Sequence, residues 1–279
     1  MSICVSDLSF SYGDARVLKD VSFSVGEGEL MSVVGPNGVG KSTLFYCLLG
    51  IFDNYKGKIS IKDIDIKNLG VQEMAKLIAY VPQSHFPSFN FSVFDMVLLG
   101  TSVQISSVST PGKKQIQLAE SAMDRLGISH LRERGYTKIS GGERQLALIA
   151  RALVQQTNVL ILDEPTANLD FGNQIRVLEQ IRSLTKEGYT IIQSTHNPEQ
   201  AFMYSDRVLA MHRGRILADG SPSEIVTEEL VHKLYGVDVK IKSLYRDKVR
   251  VCVPENLIKE EIQYTSFNIK SNYQEEVSA

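Results

Sequence analysis

The residues with the clearest chemical potential form one unbroken run of glycines and polar side chains near the start of the chain. The run matches the pattern G-x-x-x-x-G-K-[ST] at every fixed position. Its members are Gly35, Pro36, Asn37, Gly38, Val39, Gly40, Lys41, Ser42 and Thr43. Glycines let backbone N–H groups turn towards an anion, and the following helix adds the positive end of its dipole. This run therefore predicts a site for the phosphates of a nucleoside triphosphate.

The end of the run predicts two specific contacts. Lys41 is expected to reach the β- and γ-phosphates, and the Ser42 hydroxyl is expected to bind Mg²⁺. An apolar stretch at 30–34 precedes the run as a buried strand, and an apolar helix at 44–49 follows it and ends at Gly50. A chance glycine-rich turn is the alternative. Strand, loop and helix together are the context that a phosphate loop requires.

Two adjacent carboxylates follow a second apolar stretch, at 159–162. Four apolar residues are typical of a buried parallel strand, and α/β sheets bind ligands at the carboxyl ends of such strands. Asp163 is expected to join the Mg²⁺ shell, and Glu164 to polarise a water for in-line attack on the γ-phosphate. Solvated turn residues are the alternative, which the presence of a phosphate loop disfavours.

Single polar residues end two further apolar stretches. Gln83 follows the stretch at 78–81, and His196 follows the stretch at 190–195. Gln83 is expected to direct its side-chain oxygen at Mg²⁺ or at the attacking water. His196 is expected to contact the γ-phosphate from the crevice at the strand ends. For each of them an ordinary loop residue is the alternative.

An aromatic residue and the start of a helix complete the candidate set. Tyr12 lies upstream of the phosphate loop, where it is either a stacking platform for the nucleotide base or a half-buried sheet aromatic. Ser140 is a good helix cap, and Gly141 and Gly142 leave the backbone open to an anion. Alone this helix start is a weak signal, because a capped helix without a ligand has the same sequence.

The elements that must position these residues indicate an α/β core. The block at 84–158 changes character and predicts a helical insertion in that core, with an aromatic loop at 85–91 and a mobile connection at 102–113. Other elements are predicted as strands at 3–10, 17–25 and 59–64, helices at 92–99, 115–126, 146–154 and 223–234, and hairpins at 208–220 and 239–253.

Composition narrows the class of protein. The chain has 279 residues, of which 43% are hydrophobic and 22% are charged, with a net charge of −2. No long basic run is present, so we expect no nucleic-acid partner. Cys4, Cys47 and Cys252 have no metal-ligand spacing and are expected to be reduced thiols. The first residues do not form a secretory leader, and no apolar run is long enough to cross a bilayer.

Taken in order, these motifs resemble those of ABC-type ATPases. The resemblance runs from about residue 3 to 240 and rests on the phosphate loop, Gln83, Ser140–Gly142, Asp163–Thr166, Ala167–Asp170 and His196. It implies a P-loop NTPase (RecA-like) core with an N-terminal antiparallel β subdomain and the α-helical subdomain inserted at about 84–158. The ATPase domain is then 1–240, and 241–279 is a C-terminal extension with a small hairpin and a polar tail.

Within that family the chain is similar to the ATP-binding subunits of type II importers for iron–siderophore complexes, haem, cobalamin and related metal chelates. The narrower match rests on Phe91–Gly100, Gly141–Gln145, Ile149–Leu153 and Tyr235–Val237. Molybdate and tungstate uptake systems share these stretches, so they remain open as relatives.

The resemblance implies a mechanism in which two copies meet head to tail around two ATP molecules with Mg²⁺. The phosphate loop, Tyr12, Gln83, Asp163, Glu164 and His196 of one copy would hold each nucleotide. Ser140, Gly141, Gly142 and Glu143 of the other copy would close on its γ-phosphate, and Asp170 would link the two sites.

The same resemblance implies the partners and the location. The aromatic loop and the helical insertion would receive a cytoplasmic helix of a membrane permease, and an extracytoplasmic substrate-binding protein would belong to the same system. The chain would then be a peripheral protein on the cytoplasmic face of the cell membrane.

Two positions depart from the commonest family pattern. The sequence reads Ile139-Ser-Gly-Gly-Glu143 where Leu-Ser-Gly-Gly-Gln is most frequent, and neither change implies loss of activity. Two other functions stay open. One is a soluble ABC ATPase in translation or DNA repair, which usually carries paired cassettes or a long coiled coil. The other is the ATPase subunit of an exporter, which the stretch at 91–100 disfavours.

Overall fold

The computed structural model describes residues 1–83, 90–105 and 110–258. The strands are β1 (Ile3–Tyr12), β2 (Ala15–Val25), β3 (Leu30–Val34), β4 (Lys56–Ile61), β5 (Ile64–Asp65), β6 (Ala79–Val81), β7 (Val159–Leu162), β8 (Thr190–Thr195), β9 (Arg207–His212), β10 (Arg215–Gly220), β11 (Val239–Leu244) and β12 (Val249–Pro254). The α-helices are α1 (Lys41–Leu48), α2 (Val71–Leu77), α3 (Val93–Leu98), α4 (Lys113–Arg125), α5 (Gly141–Leu153), α6 (Phe171–Lys186), α7 (Pro198–Tyr204), α8 (Pro222–Ile225) and α9 (Glu228–Tyr235).

The central sheet brings the ends of four motif-bearing strands to one edge. Its strand order is β10-β9-β3-β8-β7-β6, and all neighbours are parallel except β10, which is antiparallel to β9. Val34 at the end of β3 pairs with Thr195 of β8, and Leu162 of β7 pairs with both Gln193 and Val81. The residues that follow β3, β6, β7 and β8 therefore meet at the carboxyl edge, as the sequence predicts.

The first strands of the chain form a second, antiparallel sheet. It has the order β2-β1-β4-β5, and β1 pairs with both β2 and β4. Alternate residues of β3 enter different hydrophobic clusters, because side chains of a strand point to opposite faces. Met31 and Val33 pack in the cluster of the antiparallel sheet, whereas Leu30 packs in the cluster of the helical insertion. With these two sheets and the insertion, the predicted α/β class with a P-loop core is confirmed.

The helical insertion lies between two strands that are neighbours in the sheet. After β6 the chain forms α3, a 3₁₀ turn at Leu99–Gln104, α4 and α5 before it returns as β7. Ser92 caps α3, with its hydroxyl accepting the Asp95 N–H at 3.0 Å. The predicted aromatic loop falls mostly on 84–89 and the predicted mobile connection partly on 106–109, which lie outside the described residues. The polar tail beyond 258 does so as well.

Several elements differ from the prediction. The strand predicted at 59–64 is interrupted, because Lys62 and Asp63 take left-handed conformations (φ 48° and 64°) and turn the chain into β5. The single helix predicted at 223–234 is wrong, since a new helix begins at the Thr227 cap, whose hydroxyl accepts the Leu230 N–H. Three helices, α2, α6 and α7, were not predicted at all. Helices α2 and α7 have only seven residues each, too few for a distinct apolar period, whereas α6 has 16 residues with a helical apolar spacing that the prediction overlooked.

The C-terminal part of the described chain docks on α7. Strands β11 and β12 form the predicted hairpin, with Val239 paired to Pro254. Arg250 anchors it, since its guanidinium donates to the Val226 carbonyl at 2.9 Å and lies 4.6 Å from the centre of the Phe202 ring. Within the described residues no helix has the length and hydrophobicity that a membrane span needs.

Candidate nucleotide-binding site

The loop between β3 and α1 has a backbone that glycine permits and other residues resist. Gly38 and Gly40 have φ values of 79° and 109°, in the left-handed region that a side chain disfavours. Gly35 has a different constraint, because a Cβ there would lie 2.5 Å from the Met211 carbonyl oxygen. Gly38 and Gly40 thus permit the turn of the loop, and Gly35 permits its close packing against β9.

Lys41 is a buried cation in the first turn of α1. Its side chain is 6% exposed, and Nζ donates to the carbonyl oxygens of Gly35 at 2.7 Å and Pro36 at 3.2 Å. Nζ also lies 3.7 Å from Oε1 of Glu164. Loss of hydration lowers the pKa of Lys41, although the nearby carboxylates of Glu164 and Asp163 oppose this shift. Such a cation, held by loop carbonyls and one carboxylate, is suited to bind phosphate oxygens.

One hydroxyl from the neighbouring strand holds the two carboxylates at the end of β7. Ser194 of β8 donates to Asp163 Oδ1 at 2.6 Å, and its oxygen accepts the Glu164 N–H at 2.8 Å. Asp163 is 5% exposed, and its N–H bonds the Val81 carbonyl at 2.9 Å as a continuation of the sheet. Glu164 has φ 43°, which turns the chain sharply after the strand. The acids are therefore oriented by the sheet and are not free turn residues.

Three of the predicted residues converge on the Glu164 carboxylate. Gln83 donates its Nε2 to Oε2 at 3.0 Å, and His196 Nδ1 lies 3.4 Å from the same oxygen. Lys41 approaches the other oxygen, as described above. The His196 side chain is 57% exposed, so one face of the imidazole is open to a ligand. Residues from the ends of β6, β7 and β8 and from α1 are thus gathered around one carboxylate.

These residues border a cavity of about 410 Å³. Its walls are formed by Tyr12, Val17, Asn37, Gly38, Gly40, Lys41, Ser42, Thr43, Gln83 and Glu164. Tyr12 is 49% exposed and is propped edge-on against Phe10 and Phe52, with ring centres 5.0 and 5.5 Å away. A supported and exposed ring at the mouth of this cavity can stack on a base.

Ser194, described above, and two further contributors to the site, Val17 and Tyr80, were missed by sequence reasoning. Val17 lines the cavity from the start of β2, but an apolar strand residue carries no chemical signal. Tyr80 lies in β6, and burial, with a smaller effect of the Asp163 carboxylate, raises the pKa of its phenol. Tyr80 therefore stays protonated and can donate to Asp163. Its position in an apolar strand gave the only hint, since a phenol there needs a polar partner.

The donor set at the cavity fits a hard cation. Ser42, Gln83 and Asp163 offer a hydroxyl, an amide and a carboxylate oxygen, which are the ligand types that Mg²⁺ takes beside phosphate oxygens. Ser42 is exposed at the second position of α1, and Asp163 is held in place by Ser194. No group of three or more His, Cys, Asp or Glu suited to a metal occurs in the described parts of the chain.

The start of α5 is a complete capping box. The Ser140 oxygen accepts the Glu143 N–H at 3.3 Å, and Glu143 Oε2 accepts the Ser140 N–H at 2.7 Å. The bond from the Ser140 backbone, with a smaller effect of its hydroxyl, holds the pKa of Glu143 below its usual value. These residues do not line the cavity around Lys41. Within one copy, the structure therefore separates the Ser140–Glu143 segment from the phosphate loop.

Asp170 lies beside this helix start. It caps α6, where its carboxylate accepts the Asn173 N–H at 2.9 Å and the Asn173 side-chain amide at 2.7 Å. These bonds lower the pKa of Asp170. A Cβ on Gly142 would lie 2.4 Å from Asn173 Cγ, so α5 and α6 begin in close contact. Gly142 is required because its backbone packs directly on Asn173, a constraint that sequence reasoning did not identify.

Comparison with known proteins adds independent information. A protein-family model described as "ABC transporter" matches residues 18–167. An ABC transporter ATP-binding protein of Haemophilus influenzae, uncharacterised in function, is 40% identical over 84% of this chain and 89% of its own length. A probable iron chelatin transport ATP-binding protein of Helicobacter pylori is 35% identical over 88% of this chain and 97% of its own length.

Solved structures give a consistent result. An inward-facing structure described as a metal-chelate type ABC transporter superposes with a TM-score of 0.80 at 31% identity, and covers 91% of this chain and 97% of that one. The structure of cbiO1 from Clostridium perfringens, described as part of an ABC transporter complex, superposes with a TM-score of 0.74 at 32% identity. It covers 82% of this chain and 92% of that one.

Proposed function

This chain belongs to the ABC transporter family as one of its ATP-binding, ATP-hydrolysing subunits, and from that premise we propose that it energises import of a metal chelate. Relatives at 29–35% identity are named as import ATP-binding proteins for hemin, petrobactin, iron(3+)-hydroxamate and cobalamin. The cargo class is therefore an iron complex, haem or a corrinoid. The shared chemistry of these cargoes is a metal ion enclosed in an organic ligand.

The observation that carries the ATPase mechanism is the convergence of Gln83, His196 and Lys41 on Glu164. In the proposed reaction the Glu164 carboxylate polarises a water for in-line attack on the γ-phosphate, as a general base does. Lys41 neutralises charge on the phosphates, and His196 contacts the γ-phosphate through its exposed face. Gln83 orients the water. The side-chain nitrogens of Lys41, His196 and Gln83 all lie within 4.0 Å of the Glu164 carboxylate. Only the nucleotide has to be added for these roles.

ATP would be held along the phosphate loop from residues 35 to 43, with its base against Tyr12. Bound Mg²⁺ would supply positive charge that offsets the negative charge of the phosphates. Ser42, Gln83 and Asp163 are the residues proposed to hold it. The support is the oxygen-rich donor set described above and the fixed orientation of Asp163.

The second half of each site is proposed to come from another copy of the chain. Ser140, Gly141, Gly142 and Glu143 form a capped helix start outside their own cavity, where the helix dipole favours an anion. In a head-to-tail dimer this start would close on the γ-phosphate held by the partner. Asp170, next to the same helix start, would join the two sites.

The remaining partners follow from the proposed transport role. A permease with many membrane spans would carry the cargo, and a substrate-binding protein would deliver it from outside. The chain itself would work at the cytoplasmic face of the membrane, attached through the permease.

The experiment that tests this proposal uses full-length chain tagged and carrying Glu164→Gln. We expect ATP binding without rapid hydrolysis, and therefore a trapped dimer that co-purifies with a permease from detergent-solubilised membranes. Glu179→Gln, at an exposed position of α6, is the matched control and should hydrolyse ATP normally. Recovery of soluble partners alone, from both variants, would contradict the transport role. An unchanged hydrolysis rate in Glu164→Gln would contradict the catalytic role.

A further inference from the structure

A chain of two side-chain amides, one buried and one half-buried, lies beside the nucleotide cavity without lining it. At its centre is Gln200 of α7, which is 8% exposed. Gln200 Oε1 accepts the hydroxyl of Thr166 at 3.0 Å, and Gln200 Nε2 donates to Oε1 of Gln174 at 3.0 Å. Gln174 Nε2 in turn donates to the backbone carbonyl of Leu169 at 3.0 Å. Three hydrogen bonds therefore run in one direction through two carboxamides.

The direction of this chain is set by its last member. A backbone carbonyl can only accept, so Gln174 must present its NH₂ group to Leu169 and its oxygen to Gln200. Gln200 must then present its own NH₂ group to Gln174 and its oxygen to Thr166. Each carboxamide acts as donor on one side and acceptor on the other, which a carboxylate cannot do. Aligned bonds of this kind polarise one another in a low-dielectric interior.

The chain of amides joins segments that carry the proposed chemistry. Gln200 lies in the first turn of α7, and Asn197, which directly follows His196, caps that turn by accepting the Gln200 N–H at 3.2 Å. Thr166 is two residues beyond Glu164. Leu169 precedes Asp170 and packs against the start of α5, since a Cβ on Gly141 would lie 3.1 Å from Leu169 Cδ2.

We propose that Gln200 is a positioning residue that couples the loop of His196 to the Leu169–Asp170 turn. This inference rests on the proposed function, in particular on the head-to-tail dimer. In that dimer His196 faces the ATP of its own copy, whereas Leu169 supports a helix start that faces the other ATP. A displacement of the His196 loop must move the turn with it or leave a buried amide without a partner. The amide chain thereby links the two ATP sites within one subunit.

The test compares isosteric variants of the full-length chain. Gln200→Glu removes the NH₂ donor with almost no change in shape, and Gln180→Glu makes the same change on α6 away from the amide chain. Thr166→Val and Thr166→Ser form a second pair without added charge, in which only the serine keeps the hydroxyl donor. ATP hydrolysis, its dependence on ATP concentration, ATP affinity of the single copy and thermal unfolding are measured for each variant.

We expect Gln200→Glu and Thr166→Val to lower kcat about 10-fold, since each leaves a buried polar atom unpaired. ATP affinity of the single copy should stay within about twofold because the cavity is untouched, and the Hill coefficient should fall towards about 1. Gln180→Glu and Thr166→Ser should resemble the wild type. The inference is overturned if Gln200→Glu has the kcat and Hill coefficient of Gln180→Glu, and Thr166→Val has those of Thr166→Ser.

The proposed function fails in a different way. A wild-type chain that hydrolyses ATP as a single copy, with no dimer at saturating ATP, would contradict the head-to-tail dimer and this inference together. A dimeric wild type combined with unaffected variants would overturn the inference alone. If Gln200→Glu fails to fold, the Thr166 pair decides the matter by the same readouts.

Discussion

The phosphate loop and the start of α5 are both glycine-containing helix starts, but the chain uses them differently. At the phosphate loop, Lys41 is 6% exposed and already engages two loop carbonyls and Glu164 within the same copy. At the start of α5, Ser140 and Glu143 cap only each other, and the segment lies outside the cavity. The first region is built to hold a nucleotide within one chain. The second is a capped, positively polarised helix end outside the cavity, for which we propose an anion supplied by another copy.

Damage to the phosphate loop should abolish nucleotide binding by a single copy, whereas damage to the start of α5 should spare binding and abolish hydrolysis.

Lys41→Ala should have the largest effect. Removal of the cation leaves Glu164 and the bound phosphates without a compensating charge, which costs about 2–5 kcal/mol and lowers ATP affinity about 100-fold or more. Binding of a fluorescent ATP analogue to the single copy measures this loss. Lys56→Ala removes an exposed lysine of β4 and should bind normally. Tight ATP binding by Lys41→Ala would contradict the claim that the phosphate loop holds the nucleotide within one copy.

Gly142→Ala should separate binding from hydrolysis. The new Cβ would lie 2.4 Å from Asn173 Cγ, so the start of α5 must shift relative to α6. We expect hydrolysis to fall about 10- to 100-fold, which is less than the roughly 100- to 1,000-fold loss when an oriented donor is removed outright, because the helix start is shifted and not deleted. ATP affinity of the single copy should not change. At Gly70 a Cβ would meet nothing nearer than 3.6 Å, so Gly70→Ala is the control.

A mixture of Lys41→Ala and Gly142→Ala tests whether the phosphate loop of one copy and the start of α5 of the other form one site. In a head-to-tail pair of one Lys41→Ala copy and one Gly142→Ala copy, both defects fall on the same site and the other site is intact. Random pairing makes half of the dimers mixed, and each mixed dimer keeps one of its two sites. At most about one quarter of wild-type hydrolysis should therefore return, and less to the extent that the two sites are coupled. No recovery in a mixture that forms mixed dimers would contradict the shared site.

Ser194→Ala should have a smaller effect, on both stability and rate. Loss of the hydroxyl leaves Asp163 Oδ1 and the Glu164 N–H without their partner, so the free energy of unfolding should fall by about 1–3 kcal/mol and kcat by about 10-fold. Ser32→Ala is a close control, because Ser32 is also fully buried and bonds Gln193 and Ser205, but away from the carboxylates. Denaturant unfolding and steady-state hydrolysis should show that Ser32→Ala loses stability while kcat is kept.

Glu143→Gln should have the smallest effect, and the effect should depend on pH. The pKa of Glu143 is lowered in the folded state, so the charged carboxylate stabilises the fold above its unfolded pKa, and this is lost as pH falls through the folded value. A carboxylate in a first helical turn contributes about 0.3–1 kcal/mol. The variant should therefore unfold more easily at pH 7, and the difference should shrink as pH falls through the lowered pKa of Glu143 and vanish below it. A difference that grows on acidification would contradict the capping role.

The sequence was most informative where a residue type is demanded by local chemistry or by strand ends. The phosphate loop, the carboxylates after β7, Gln83 and His196 were all placed at the carboxyl edge by the pattern of apolar stretches. Elements with weaker sequence patterns were predicted less well. The turn at Lys62 and Asp63 interrupts an alternating pattern that looks continuous, because nothing in lysine or aspartate marks a left-handed conformation uniquely.

Long-range contacts were invisible for a related reason. Thr166, Gln174 and Gln200 are ordinary polar residues spread over 34 positions, and only the packing of α6 against α7 and of the turn after β7 brings their side chains within 3.0 Å. Gly142 looked like a residue that opens the backbone to an anion. The close approach of Asn173 is a second reason for a glycine there.

From the sequence alone we could predict the nucleotide chemistry, the α/β class and the succession of motif-bearing strands along the chain. These depend on residue type and on local periodicity. The tertiary structure was needed to show that the ends of β6, β7 and β8 and the first turn of α1 meet around the Glu164 carboxylate. The same holds for the Ser194 hydroxyl that orients Asp163 and for the start of α5, which lies apart from the loop it resembles. These relations join residues far apart in the chain, and their geometry depends on sheet order and packing, which no short stretch of sequence encodes.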